Sequence, residues 1–162
     1  MGILTFFGIL PAANALKPGD EAPAPTAIDQ DGAQVSFAEI YKKGVTLVYF
    51  YPKADTPGCT AEACSLRDSY DDLLARGVQV IGVSGDHAGA QKDFRDKYKL
   101  PFPLVADVGG AVAKAFGVPT IMGFPKRQSF LIKDGKIAWL DLNASTTNQA
   151  GDVRAALGGV SI

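Results

Sequence analysis

Two cysteines, Cys59 and Cys64, are the only thiols in this 162-residue chain, and they stand five positions apart. A pair of thiols at close spacing can exchange electrons through a disulfide, hold a metal ion, or fill core space as small hydrophobes. The residues ahead of Cys59 decide how it is presented. Val45 to Tyr51 is an apolar, aromatic and β-branched run of the length of a buried strand. Pro52 stops that strand, and Asp55-Thr56-Pro57-Gly58 is turn chemistry. From Cys59 onward the pattern turns helical, with Leu66, Tyr70, Leu73 and Leu74 returning at spacings of three and four until Arg76-Gly77 closes the run. A strand therefore hands Cys59 to the N-terminal turn of a helix. Unpaired backbone N–H groups and the positive end of the helix dipole favour an anion there, so a Cys59 thiolate is stabilised and is the candidate nucleophile.

Residues five apart on an ideal helix differ by about 140° and about 7.5 Å of rise, which puts their Cα atoms about 8.7 Å apart. A disulfide needs less than about 7 Å. Cys59 and Cys64 cannot be bridged while the helix is intact, and any bond between them requires its start to unwind.

The remaining elements must build a frame for this strand and helix. Thr26–Gln30, the Asp31-Gly32 turn and Ala33–Val35 read as a small hairpin, and Ser36-Phe37-Ala38-Glu39 is a capping box opening a short helix. Val78–Ser84 is a second buried strand, Gly89–Lys99 an amphipathic helix, Phe102–Ala106 a strand and Gly110–Phe116 a short helix. Ser129–Lys133 and Ile137–Leu142 flank Asp134-Gly135-Lys136 as a hairpin, and Asn148–Leu157 makes a last helix. The order β-α-β-α-β-α-β-β-α predicts a three-layer α/β sandwich.

The octapeptide Pro52-Lys53-Ala54-Asp55-Thr56-Pro57-Gly58-Cys59 resembles the P-x-x-x-T-x-x-C signature of the peroxiredoxins. The wider stretch Thr56 to Asp68, with a second cysteine five residues on, is similar to the peroxiredoxin Q branch, also called bacterioferritin comigratory protein. The resemblance continues through Gly82–Asp86, Leu100–Asp107, Phe116–Val118 and Arg127–Ile137, and spans roughly Leu16 to Ala156. It implies a thioredoxin-like fold with a peroxiredoxin-type N-terminal hairpin. It also implies a thiol-dependent peroxidase acting on hydrogen peroxide and organic hydroperoxides. Carried over by position, Cys59 matches the peroxidatic cysteine, Cys64 the resolving cysteine, Pro52 a proline shielding the thiolate, Thr56 a hydroxyl bonding thiolate and peroxide, and Arg127 the active-site arginine. The family cycle passes through a Cys59 sulfenic acid and a Cys59–Cys64 disulfide, reduced by thioredoxin or a similar dithiol protein. It needs no metal, haem or flavin, and its members are monomers or homodimers. A permanently charged guanidinium with a fork of donors suits the role given to Arg127.

Other readings compete. A thioredoxin-like protein-disulfide oxidoreductase keeps its cysteines two residues closer, where they bond without helix melting. A copper carrier needs a third ligand, and His87 is the one histidine, placed in a Gly-Asp-His loop that reads as solvent-exposed. Arg67 and Asp71 fit an ordinary i,i+4 pair, and Tyr49, Phe50 and Tyr51 read as core. The formal net charge of −1 and the absence of basic clusters argue against nucleic acid. No stretch reaches the roughly eighteen apolar residues of a membrane span.

The chain divides into an apolar N-terminal segment, residues 1–15, and one domain from 16 to 162. Ile3–Leu10 is apolar and Ala13-Asn14-Ala15 fits a signal-peptidase site, yet the segment has no Lys or Arg. It reads as an export signal or as a docking arm, so cytoplasmic and exported locations both stay open.

Overall fold

The apolar run that precedes the cysteines lies at the centre of a five-stranded sheet. A computed structural model describes residues 16–160; the expectation of a signal or docking arm at residues 1–15 falls outside the described residues. The elements are β1 (Thr26–Ile28), β2 (Gln34–Ser36), α1 (Phe37–Tyr41), β3 (Val45–Phe50), α2 (Pro57–Asp68), α3 (Tyr70–Ala75), β4 (Val78–Ser84) and α4 (Ala88–Tyr98). They continue as β5 (Leu104–Ala106), α5 (Ala111–Ala115), β6 (Thr120–Ile121), β7 (Phe124–Pro125), β8 (Gln128–Lys133), β9 (Lys136–Asp141) and α6 (Gln149–Gly158). The main sheet runs β5-β4-β3-β8-β9, with β3, β4 and β5 parallel and β8 and β9 antiparallel. β1 and β2 form the expected separate hairpin.

Every residue of β3 is buried because both faces of the sheet are covered. Alternate side chains point to opposite faces. Leu47, Tyr49 and Tyr51 join Cys59, Ala63, Leu66, Phe94, Val153 and Leu157 in the core on the side of α2, α4 and α6. Val48 and Phe50 join Phe37, Val112 and Phe116 on the side of α1 and α5. The result is the three-layer α/β sandwich with a thioredoxin-like arrangement. Among the described residues no helix is long and apolar enough to cross a membrane.

Two local expectations are corrected, and one short element had not been anticipated. The helix read as continuous through Leu74 breaks at Ser69, whose backbone (φ −103°, ψ 5°) leaves the helical region. The break turns Tyr70 onto the ring of Phe102, with centroids 5.6 Å apart, and Arg154 Nη1 donates to the Ser69 hydroxyl at 2.8 Å. Tertiary packing outweighs the periodicity here, and Leu74 is left exposed. Arg67 pairs with Asp68 and the carbonyl of Tyr98 rather than with Asp71. The short ribbon of β6 and β7 was not legible, because two-residue strands carry no alternation to read. Its turn puts Met122 (φ 53°) and Gly123 (φ 84°) in the left-handed region that a two-residue hairpin turn demands.

Candidate active site

A loop of residues 51–56 joins the end of β3 to the start of α2. Thr56 flanks the helix in extended conformation, and Pro57 takes the first helical turn, where its missing N–H breaks no helical bond. Cys59 is thus in the first turn of α2 and is 1% exposed. Arg127, just ahead of β8, reaches across to it from 68 positions away in sequence: Nη2 donates to Cys59 Sγ at 3.5 Å. Its other terminal nitrogen, Nη1, donates to Glu62 Oε1 at 2.8 Å. One guanidinium therefore bridges the thiol and a fully buried carboxyl.

Four further residues frame this pair. The Thr56 hydroxyl does not cap the helix. It donates to the carbonyl oxygen of Lys53 at 2.7 Å, which commits its proton and leaves its lone pairs as acceptors. Pro52, two residues past the end of β3, is half-buried at the start of the same loop. Gly58 leaves room for the arginine, since a Cβ there would lie 3.1 Å from Arg127 Nη2 and 3.4 Å from Thr146 Cγ2. Cys64 sits in the second turn of the unbroken α2, half-buried, and both cysteines are free. The structure thus brings Cys59 and Arg127 into contact, sets Thr56 and Pro52 on the adjoining loop, and keeps Cys64 apart. His87 is exposed and accepts from the Ala90 N–H at 3.2 Å, capping α4.

Sequence reasoning missed Glu62. The available signal was its spacing, three residues past Cys59 and so on the same helical face. Burial pushes the Glu62 carboxyl up to about 8, against the opposing pull of Arg127. Among the described residues its second oxygen, Oε2, has no hydrogen-bond partner. The phenol of Tyr49, buried beneath the same helix, is also unpartnered among the described residues, and burial holds its pKa well above the ordinary tyrosine value.

A model of the AhpC/TSA family matches residues 18–140. The chain belongs to the AhpC/TSA family. Peroxiredoxin Q of rice chloroplasts (Oryza sativa subsp. japonica) is 46% identical over 125 residues, covering 75% of this chain and 57% of the rice protein. The chain thus spans a little over half the length of such chloroplast relatives. A protein of Mycobacterium tuberculosis named as a peroxiredoxin is 38% identical over 150 residues, covering 88% of this chain and 95% of that one. The crystal structure of the peroxidoxin BcpB from the same species superposes with a TM-score of 0.85 at 30% identity, covering 91% of this chain and 100% of the other. These relatives place this AhpC/TSA chain in the peroxiredoxin Q branch.

The buried carboxyl of this family member gives α2 a pH dependence with a definite sign. The Glu62 pKa is about 8 in the intact helix, against 4.5 for the ordinary side chain that unwinding would expose. The intact helix binds more protons between those values, so its extra stability is complete below about 4.5 and is lost as the pH rises through 8. Amide exchange of residues 58–64, corrected for intrinsic rates, should show opening that grows easier from pH 5.5 to 8.5. Glu62→Gln, which keeps an acceptor for Arg127 but cannot ionise, should flatten that trend. A wild type as flat as the variant would show that Glu62 does not titrate with helix opening.

Proposed function

We propose that this chain is a thiol-dependent peroxidase reducing hydrogen peroxide and organic hydroperoxides. The observation that carries this reading is the contact of the Arg127 guanidinium with the sulfur of a cysteine in the first turn of a helix. Helix N–H groups and a fixed cation together favour the negative charge that develops on a breaking O–O bond. Membership of the peroxiredoxin Q branch supports the same activity.

Cys59, as thiolate, attacks the distal oxygen of the hydroperoxide. An S–O bond forms as the O–O bond breaks, and the leaving oxygen takes up a proton and departs as water or alcohol. The peroxide gains two electrons, and Cys59 becomes a sulfenic acid. Thr56, its own proton given to the Lys53 carbonyl, accepts the hydroperoxide O–H and orients it. Pro52, half-buried at the start of the loop, takes the shielding role that the family resemblance gives it. The first turns of α2 then unwind, and the Cys64 sulfur attacks the sulfenic sulfur, releasing water and forming the Cys59–Cys64 disulfide. A protein dithiol of thioredoxin type returns two electrons to this bridge.

Intact mass after one equivalent of hydrogen peroxide tests the cycle. The wild type should lose about 2 Da, as a disulfide forms, and Cys64→Ser should gain about 16 Da, as a sulfenic acid persists. Unchanged masses in both, with the thiols still titratable, would overturn the peroxidase reading.

A further inference from the structure

The loop that carries Thr56 is held from behind by a network the reaction scheme does not use. Tyr51, fully buried at the end of the central strand, donates its hydroxyl proton to Gln91 Oε1 at 2.6 Å. Gln91, buried on α4, donates through Nε2 to Ser84 Oγ at 2.8 Å and to the Val105 carbonyl at 2.9 Å. Ser84, the last residue of β4, donates to Asp86 Oδ2 at 2.6 Å. The same oxygen, Asp86 Oδ2, accepts the backbone N–H of Ala54 at 2.8 Å. The series starts at Tyr51, just ahead of the signature loop, and returns to that loop at Ala54.

Ala54 N–H and the Lys53 carbonyl are two ends of one planar peptide unit. The carbonyl end accepts the Thr56 hydroxyl at 2.7 Å. A carboxylate fixing the N–H end therefore sets the tilt of the peptide that fixes the hydroxyl, and polarises its carbonyl toward a stronger bond. The other anchor of the loop lies at the surface, where Asp55, at φ 60°, meets Lys97 Nζ at 3.0 Å and Tyr98 Oη at 3.0 Å. Exposed pairs of that kind contribute little rigidity. The half-buried Asp86, tied to fully buried Ser84 and Gln91, is the stiff anchor.

We propose that Asp86 is a positioning residue for peroxide reduction, acting through the Lys53–Ala54 peptide on the acceptor lone pairs of Thr56. This rests on the peroxidase reading. Its range of action is narrow: the thiol and its arginine are held from α2 and the segment before β8, so loosening the peptide misplaces the hydroxyl that orients the peroxide and leaves the Cys59–Arg127 contact standing.

The test compares two reactions of Cys59 in the full-length reduced protein, oxidation by hydrogen peroxide and alkylation by iodoacetamide. Asp86→Ala should slow oxidation by about 10- to 100-fold, the effect of misplacing a catalytic group by about 1 Å, while alkylation changes by less than about threefold. Asp86→Asn keeps an acceptor oxygen for Ala54 and should restore oxidation to within about threefold of wild type. In a Thr56→Val background Asp86→Ala should have little further effect, because the hydroxyl it positions is gone. Asp86→Ser, too short to reach Ala54, gives the same readout should Asp86→Ala fail to fold. Full oxidation rates in Asp86→Ala and Asp86→Ser, equal losses in oxidation and alkylation, or effects that multiply with Thr56→Val would each overturn the positioning role. A wild type whose Cys59 is alkylated but never oxidised would instead overturn the peroxidase reading beneath it.

Discussion

Cys59→Ser should abolish peroxide consumption, with a loss of at least about a thousandfold and turnover reduced to the uncatalysed background. The reason is chemical. A serine hydroxyl is not ionised near neutral pH even at a helix N-terminus beside a cation, and an alkoxide does not yield a sulfenic acid that a second thiol can resolve. The fold should tolerate the change. Cys59 is packed among Ala63, Leu66 and the rings of Tyr49 and Tyr51, where an oxygen of slightly smaller volume leaves little cavity, and Arg127 Nη2 keeps an acceptor. A coupled assay with hydrogen peroxide and a dithiol reductant, read with a thermal melt, separates the two effects. An intact fold with no turnover is expected. Turnover surviving in a folded Cys59→Ser protein would move the peroxide chemistry to another group and end the assignment.

Much of this site was legible because its parts are local. A strand stopped by Pro52, a turn at Asp55 to Gly58 and a helix opening before Cys59 are written in consecutive residues, and backbone sterics alone set their geometry. The separation of Cys59 and Cys64 followed from helix pitch, and both cysteines are indeed free in one intact helix. Contacts made across the fold were not legible in the same way. The spacing of Glu62 puts it on the helical face of Cys59 but does not announce a buried carboxyl under Arg127, because that environment exists only once β8 is laid beside β3. Asp86 looks like a loop residue after a strand, and its role as anchor depends on β4 delivering it behind Ala54. Arg127 could be singled out only through the family resemblance, since a single arginine before a strand has no periodic signal of its own. The break at Ser69 failed for the same reason, with Arg154 and Phe102 arriving from distant elements.

Arg127→Met should lower the rate of Cys59 oxidation by about 100- to 1,000-fold, the range for losing one preorganised donor at a site of developing charge. Two of the guanidinium's nitrogens carry separate duties, Nη2 to the sulfur at 3.5 Å and Nη1 to Glu62 at 2.8 Å. A lysine has one nitrogen and cannot meet both, so Arg127→Lys should preserve the charge and still lose at least about tenfold. The methionine variant also strips Glu62, 0% exposed, of its one partner, which destabilises the fold by leaving a second carboxyl oxygen buried without a bond. That penalty belongs to the pair and not to catalysis, which makes the two separable. Replacing both partners, Arg127→Met with Glu62→Leu, removes the orphaned polar group and should recover most of the lost melting temperature, because replacing both members of a buried polar pair by apolar groups leaves nothing unsatisfied. It should recover none of the oxidation rate, because no donor then faces the sulfur. Stopped-flow oxidation and thermal denaturation on the single and double variants decide the matter. Recovery of rate along with stability would mean that Arg127 serves only to hold α2 in place, and a double variant that remains as unstable as Arg127→Met would show that Glu62 was never the source of the strain.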